Sequence, residues 1–261
     1  MRNLILAIQF LTRLPTPKLH DFEQRELAHA AAWFPVVGTL VGALITALAL
    51  LGNQLDSGLG ALLALLMWVW VTGALHLDGL ADFSDALGAA HGDVMGAAHR
   101  DPQRLMQVMH DPHLGSFGVI ALITALLSKL VLLRVNLDHA ALSIWTLPLI
   151  CAWARTGAIA WSAYLPALSD SSTERFSWDI DKQALMWNVS LLLILSAQLA
   201  PPLLLAPVVL LSWGWVLQRR LGGVSGDCLG AGVELTEILL LLTTLLPTLL
   251  LPLMVKWGIS K

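Results

Sequence analysis

Apolar residues in this chain come in long runs, not in alternation with polar ones. Seven stretches carry few or no charges: 31–52, 59–77, 117–135, 141–164, 185–199, 203–217 and 233–255. A membrane-spanning helix needs about 20 mostly apolar residues. The pattern therefore predicts an all-α fold, a polytopic membrane helix bundle of about seven transmembrane helices. The fifth and sixth stretches are short, and together they could form one re-entrant hairpin around Pro201–Pro202. No strand-like alternation competes, and an open sheet could not satisfy its backbone in lipid. The start, Met1 to Leu14, is apolar but contains Arg2, Gln9 and Arg13, and no small-residue cleavage site follows it. It reads as an amphipathic segment lying against the membrane or the bundle. With no fixed-period repeat and no low-complexity linker, residues 1–261 are expected to form one integral-membrane domain.

Composition sharpens this. Hydrophobic residues make up 57% of the 261 and charged residues 13%, against about a quarter charged in soluble domains. A soluble enzyme and a disordered tail are excluded. The net charge of -3 gives no general attraction to polyanions, so membrane lipid is an expected partner and nucleic acid is not. Cys151 and Cys228 lie far apart in unlike contexts, which suggests neither a disulfide framework nor a thiolate metal cluster. Lys and Arg concentrate in the N-terminal segment and in loops 78–116, 165–184 and 218–232, while the intervening loops carry none. Cytoplasmic loops carry the excess of such residues. The expected placement is the cell (inner) membrane, with the N-terminus and those loops in the cytoplasm and the C-terminus outside.

Polar residues are not spread evenly. Six of the thirteen aspartates and five of the eight histidines fall between positions 76 and 113. The densest part runs from His76 through Asp78, Asp82 and Asp85. On a helix these three acids are spaced i, i+4, i+7 and fall within an arc of about 60°. Like charges at that spacing repel, the more so beside lipid, so a cation is expected among them. Oxygen-only ligands flanked by Gly79 and Ala81 suit a hard ion, Mg²⁺ before Zn²⁺. The plainer alternative is an acidic helix start, which the helix dipole favours.

Three further features adjoin the cytoplasmic end. Arg104 to Gly118 reads as a short interfacial helix, a turn at Asp111, and a helix start at Gly115 whose amides suit phosphate; a simple capping role for Asp111-Pro112 is the alternative. Leu221 to Glu234 holds Gly222, Gly223, Gly226, Gly230 and Gly232 with Asp227, a loop able to offer backbone N–H groups to phosphate or, alone, a flexible turn. It lacks the Gly-Lys-Ser/Thr ending of a P-loop. Arg155 sits in the middle of span 141–164, where a charge is usually functional. It is expected to face the bundle and pair with a carboxylate or a substrate phosphate. Lys129 is expected to snorkel or pair locally. No nucleophile–base spacing is evident. A metal site, a Gly-rich loop and an intramembrane Arg near one face suggest a Mg²⁺-dependent transferase acting on a pyrophosphate-linked substrate. A transporter, which would place ionisable groups near mid-membrane, stays as the alternative.

At these residues the chain resembles the cobalamin synthase family, the adenosylcobinamide-GDP ribazoletransferases. The likeness covers most of the chain: Phe10-Leu-Thr-Arg13-Leu-Pro15, Phe34-Pro35-Val-Val-Gly38, the signature His76-Leu-Asp78-Gly79-Leu-Ala-Asp82-Phe-Ser-Asp85, Arg104 with Met109-His-Asp111 and Gly115, Arg155, and Gly222-Gly223-Val-Ser-Gly226-Asp227-Cys-Leu-Gly230. It departs at Ala74 and Ala86, where the family usually has Gly, at His110, where a basic residue is usual, and across 165–184. The resemblance implies an enzyme that transfers the adenosylcobinamide phosphoryl group from adenosylcobinamide-GDP to α-ribazole or its 5′-phosphate. GMP is released in this last step of coenzyme B12 nucleotide-loop assembly.

The site the resemblance implies has Asp78, Asp82 and Asp85 holding Mg²⁺. Asp82 and Asp85 are its catalytic carboxylates, Asp82 doubling as the base. Asp227 takes a second ion. His76, Arg104, Asp111, Gly115, Arg155, Gly222, Gly223, Gly226 and Asp227 contact substrate. The acidic motif is also similar to that of CDP-alcohol phosphotransferases, which leaves a phospholipid synthase as a rival activity. Self-association and complexes with other corrinoid enzymes stay open.

Overall fold

A computed structural model describes residues 1–17, 19, 24–91, 109, 113–168 and 180–250. The described residues are almost wholly helical, their only β feature a bridge between Ala167 and Val224. The helices are α1 (Arg2–Leu11), α2 (Gln24–Ala31), α3 (Phe34–Asn53), α4 (Ser57–Thr72), α5 (Leu75–His91), α6 (Ser116–Asp138), α7 (Thr146–Tyr164), α8 (Lys182–Leu199), α9 (Ala206–Arg220) and α10 (Gly226–Thr243). A 3₁₀ turn, Pro201–Leu205, joins α8 to α9. Each predicted span overlaps helix within the described residues, but 59–77 falls on two helices and 251–255 lie outside the described residues. Among the described residues, four runs are long and apolar enough to cross a membrane: α3, α6, Pro201–Arg220 and Gly226–Leu250. A fifth is added if α4 and α5, bent by 86° at their junction, count as one.

That differs from seven for physical reasons. α8 opens on Lys182 and Gln183 and contains Asn188 and Gln198, which dilute its apolar character. α7 holds Arg155 and is buried without a break from Thr146 to Gly157; it packs against protein all round. The predicted span 59–77 is interrupted at residue 73. α4 starts on Asp56, whose carboxylate accepts from the Gly58 and Leu59 amides at 2.8 and 3.1 Å, and it ends on Gly73 at φ +62°. The Gly73 and Ala74 amides donate back to Trp70 and Val69, a left-handed helix ending. Ala74 is itself at φ +62°, and this pair turns the chain into α5.

Small residues set the closest packing. Gly38 and Gly42 of α3, a small-xxx-small pair, press on the backbone of α7 at Cys151 and Leu147. Apolar side chains such as Leu66, Trp70, Ile120, Ile194, Val208 and Leu211 point outward. So large an exposed apolar surface suits lipid. α1 lays Leu6, Ala7 and Leu11 into the bundle, and its Phe10 stacks on Phe34 at 5.7 Å between ring centroids.

Candidate functional site

Two helix starts meet face to face. The first turn of α5 carries Asp78 and the first turn of α10 carries Asp227. Gly79 packs on the Asp227 backbone so closely that a Cβ would sit 2.8 Å from its carbonyl oxygen. One turn on, Gly230 packs on the His76 backbone. α10 is capped by Ser225, whose Oγ accepts from the Cys228 amide at 3.3 Å. The Gly-rich loop before it is held by the chain that follows α7. Val224 donates to the Pro166 carbonyl at 2.9 Å and accepts from the Leu168 amide at 3.0 Å. Gly222, at φ +74°, makes the turn into that pairing.

A cavity of ≈ 200 Å³ opens between these elements. Its walls come from Phe10 and Leu11 of α1, Phe34 of α3, and Leu75, His76, Asp78 and Gly79 of α5. α7 adds Ala158 and Ser162, and the α10 side adds Ser225, Gly226, Asp227, Leu229, Gly230 and Val233. A shallower groove adjoins it, lined by Arg13, Thr72, Gly73, Ala74 and again Phe10, Leu75 and Asp78. Asp78 is exposed at the junction of the two hollows, and Asp227 is half-buried. The Arg13 guanidinium lies across Gly73, where a side chain on residue 73 would collide with it. His76 is 5% exposed, and its Nδ1 is buried with no partner among the described residues.

The acidic triad is not gathered at one point. Asp82 is half-buried one turn beyond Asp78 and is engaged in a polar or electrostatic contact. The Asp85 carboxylate accepts from the Gly115 and Gly118 amides at 2.7 and 2.8 Å. It closes the N-terminus of α6, the place where Gly115 was expected to present amides to substrate. Among the described residues no group of three His, Cys, Asp or Glu side chains is placed to hold a metal ion. Two carboxylates at a cavity mouth nevertheless fit Mg²⁺, which is commonly bound through one or two carboxylates plus substrate phosphates. Gly226 lines the cavity, whereas Gly222 and Gly223 do not. Arg104 and Asp111 lie outside the described residues.

Arg155 pairs with a carboxylate, that of Glu237, at full burial. Glu237 also pairs with Lys129 at 2.5 Å, and Lys129 pairs with Glu234 at 2.7 Å. Lys129 does not snorkel. It is 2% exposed, sits 4.3 Å from the centre of the Trp68 ring, and finds its partners more than a hundred residues away. Sequence reasoning missed Glu234 and Glu237. The signal was present: two of the chain's five glutamates stand at i, i+3 inside an apolar span that also must match Lys129 and Arg155. It also missed Arg13, Phe10 and Phe34 as parts of the site.

The family model for Cobalamin-5-phosphate synthase matches residues 3–245. The adenosylcobinamide-GDP ribazoletransferase of Laribacter hongkongensis is 55% identical, covering 95% of this chain and 98% of its own length. Proteins of the same name from Thiobacillus denitrificans and Novosphingobium aromaticivorans are 47% and 45% identical, over 91% and 93% of this chain and 92% and 96% of their own. No solved structure matches. A family match and relatives of this identity, each running nearly end to end, leave one assignment: the chain belongs to the cobalamin-5-phosphate synthase family.

Proposed function

We propose that this chain transfers the adenosylcobinamide phosphoryl group from adenosylcobinamide-GDP to α-ribazole or its 5′-phosphate, releasing GMP. The acceptor hydroxyl oxygen forms a bond to the cobinamide-side phosphorus. The bond from that phosphorus to the bridging oxygen breaks, and GMP leaves with the electron pair. The observation that carries the reading is the pair of facing helix starts, each presenting one aspartate, Asp78 and Asp227, at the mouth of one cavity. Backbone amides at helix N-termini favour phosphate oxygens, and Arg13 in the adjoining groove is a cation within the same hollow.

Asp78 and Asp227 would hold Mg²⁺ together with diphosphate oxygens. When bound, the ion neutralises the diphosphate and the departing GMP. Asp82, about one turn along the same helix face, takes the hydroxyl proton, which lets Asp78 stay ionised. Asp85 acts through α6, by fixing where that helix begins. Arg155 acts through Glu237 and the packing of α7 on α10.

The chain would lie in the inner membrane with this site on the cytoplasmic face. What supports the sidedness is that Phe10 and Leu11 of the N-terminal segment, Asp78 and Gly79, Ala167 and Val224–Asp227 all line one cavity. These are the segments whose Lys and Arg content marks a common side.

The test is GMP release from adenosylcobinamide-GDP plus α-ribazole by purified protein in lipid nanodiscs, with Mg²⁺ and with a chelator. Corrinoid product and GMP should form one to one, and chelation should stop both. Absence of GMP, or turnover of a CDP-linked lipid in its place, overturns the assignment.

A further inference from the structure

Resting on the reaction proposed above, we infer that the cavity is the subsite for the base of the ribazole acceptor, and that the corrinoid and the guanine of the donor both stay outside it. Size decides the first exclusion. The cavity measures ≈ 200 Å³, below the roughly 300–1,000 Å³ of pockets for drug-sized ligands. A nucleoside-sized group is the upper limit, and a corrin macrocycle is far larger.

Lining chemistry decides the second. The larger apolar side chains in the lining include Phe10, Leu11, Phe34, Leu229 and Val233. Phe10 and Phe34 stack with their planes 13° apart, and such flat apolar walls suit a flat apolar guest. Guanine presents several donors and acceptors along its edges. Buried against these residues they would go unpaired, and a buried unpaired polar group is strongly disfavoured. A benzimidazole, the base of ribazole, is a bicyclic apolar ring with a single free ring nitrogen. Away from Asp78 and Asp227 the cavity offers few polar side chains: His76, whose Nδ1 has no hydrogen-bond partner among the described residues, Ser162, and Ser225, whose hydroxyl already caps α10. Asp78 and Asp227 at the mouth would disfavour a phosphate lodged inside without its cation, so the sugar hydroxyl faces outward, toward the groove with Arg13.

The proposal is tested by filling the cavity from α7, away from the carboxylates, with Ala158→Leu. KM for α-ribazole should rise at least tenfold, while KM for adenosylcobinamide-GDP and kcat at saturating acceptor stay within twofold. A tenfold rise in donor KM with acceptor KM unchanged places the guanine there and overturns the proposal. Should Ala158→Leu fail to fold, calorimetric titration of the unaltered protein decides. α-Ribazole should bind without donor, and a hundredfold excess of GMP should leave that binding unchanged. Displacement of α-ribazole by GMP overturns the proposal. Both arms require an active unaltered enzyme: no GMP release from the two substrates together defeats the reaction itself, whereas turnover with the wrong KM shift defeats the subsite alone.

Discussion

Two clusters of charge among the described residues have opposite characters. The one around Glu237 is closed: Lys129, Arg155, Glu234 and Glu237 come from three helices, are buried, and sum to zero charge. The one around Asp78 is open: two carboxylates on helix starts face a cavity and a groove. A charge inside a membrane span is by default a functional candidate, and Arg155 looks like one in the sequence. In the fold it faces Glu237, a carboxylate of the chain itself. The sequence position of a charge says that it must be neutralised, and the fold says by what. Where the chain supplies its own counter-ion the cluster is packing. Around Asp78 the carboxylates stand at the mouth of a cavity, where a cation can be shared with substrate phosphates.

The sharpest break of this comparison is expected on the open side. Asp82→Asn should lower kcat on the order of 10⁴-fold, the upper range for loss of an acid–base group, and excess Mg²⁺ should not rescue it. Asp78→Asn and Asp227→Asn should lower kcat/KM about 10³-fold and also raise the Mg²⁺ concentration for half-maximal rate, since each removes a ligand oxygen. All three proteins should insert and melt as the parent does. GMP-release assays across a Mg²⁺ series separate the two behaviours. A rescue of Asp82→Asn by Mg²⁺ would move that residue into the ligand set.

On the closed side, Glu237→Gln should destabilise the fold by about 3–5 kcal/mol, because it leaves Arg155 buried without its carboxylate. The informative variant is the double one, Arg155→Leu with Glu237→Leu. It removes one charge of each sign and leaves the Lys129–Glu234 pair intact. Replacing a buried pair by apolar groups is often neutral, so thermal stability should recover by more than half and activity should return to within about tenfold. A stable but inactive double variant would give Arg155 a role toward the substrate phosphates and erase the distinction between the clusters.

Helix positions were legible because spans in lipid must be apolar along their length. The acids at the helix starts were legible because charge at the end of a span is conspicuous. What the sequence hid is what depends on distant partners. Asp85 shares a helix face with Asp78 and Asp82, so it reads as a third ligand, yet its oxygens are claimed by amides thirty residues on. Phe10 and Arg13 sit in a segment whose amphipathicity suggests the bundle surface, and their place at the cavity follows from how α1 docks on α3. Asp85→Asn sharpens the point. The amide keeps one acceptor oxygen and no charge, so losing one bond to α6 and the charge on the other should destabilise by roughly 1.5–3 kcal/mol, measured by thermal unfolding in nanodiscs. The variant's GMP-release rate should not respond to Mg²⁺ up to tenfold above saturation, whereas that of a ligand variant would rise.

The smallest expected effect lies at the hinge between the two regions. Ala74 is one of two described non-glycine residues with positive φ, the other being Ala140. It follows Gly73 in the left-handed turn that swings α5 by 86° and lines the groove beside Asp78. A Cβ in that conformation is unfavourable by roughly 1–2 kcal/mol, part of which a glycine would give back through the entropy of the unfolded chain. Ala74→Gly should therefore stabilise by about 0.5–1 kcal/mol. Ala140→Gly, at φ +49° and remote from the cavity lining, should do the same. The comparison between them carries the information. If the bend is set by packing of α5 on α6 and α10, both variants gain stability and keep full activity. If the tension at Ala74 helps hold Asp78 at the mouth, Ala74→Gly alone loses turnover while gaining stability, and melting curves paired with GMP-release rates separate the two cases.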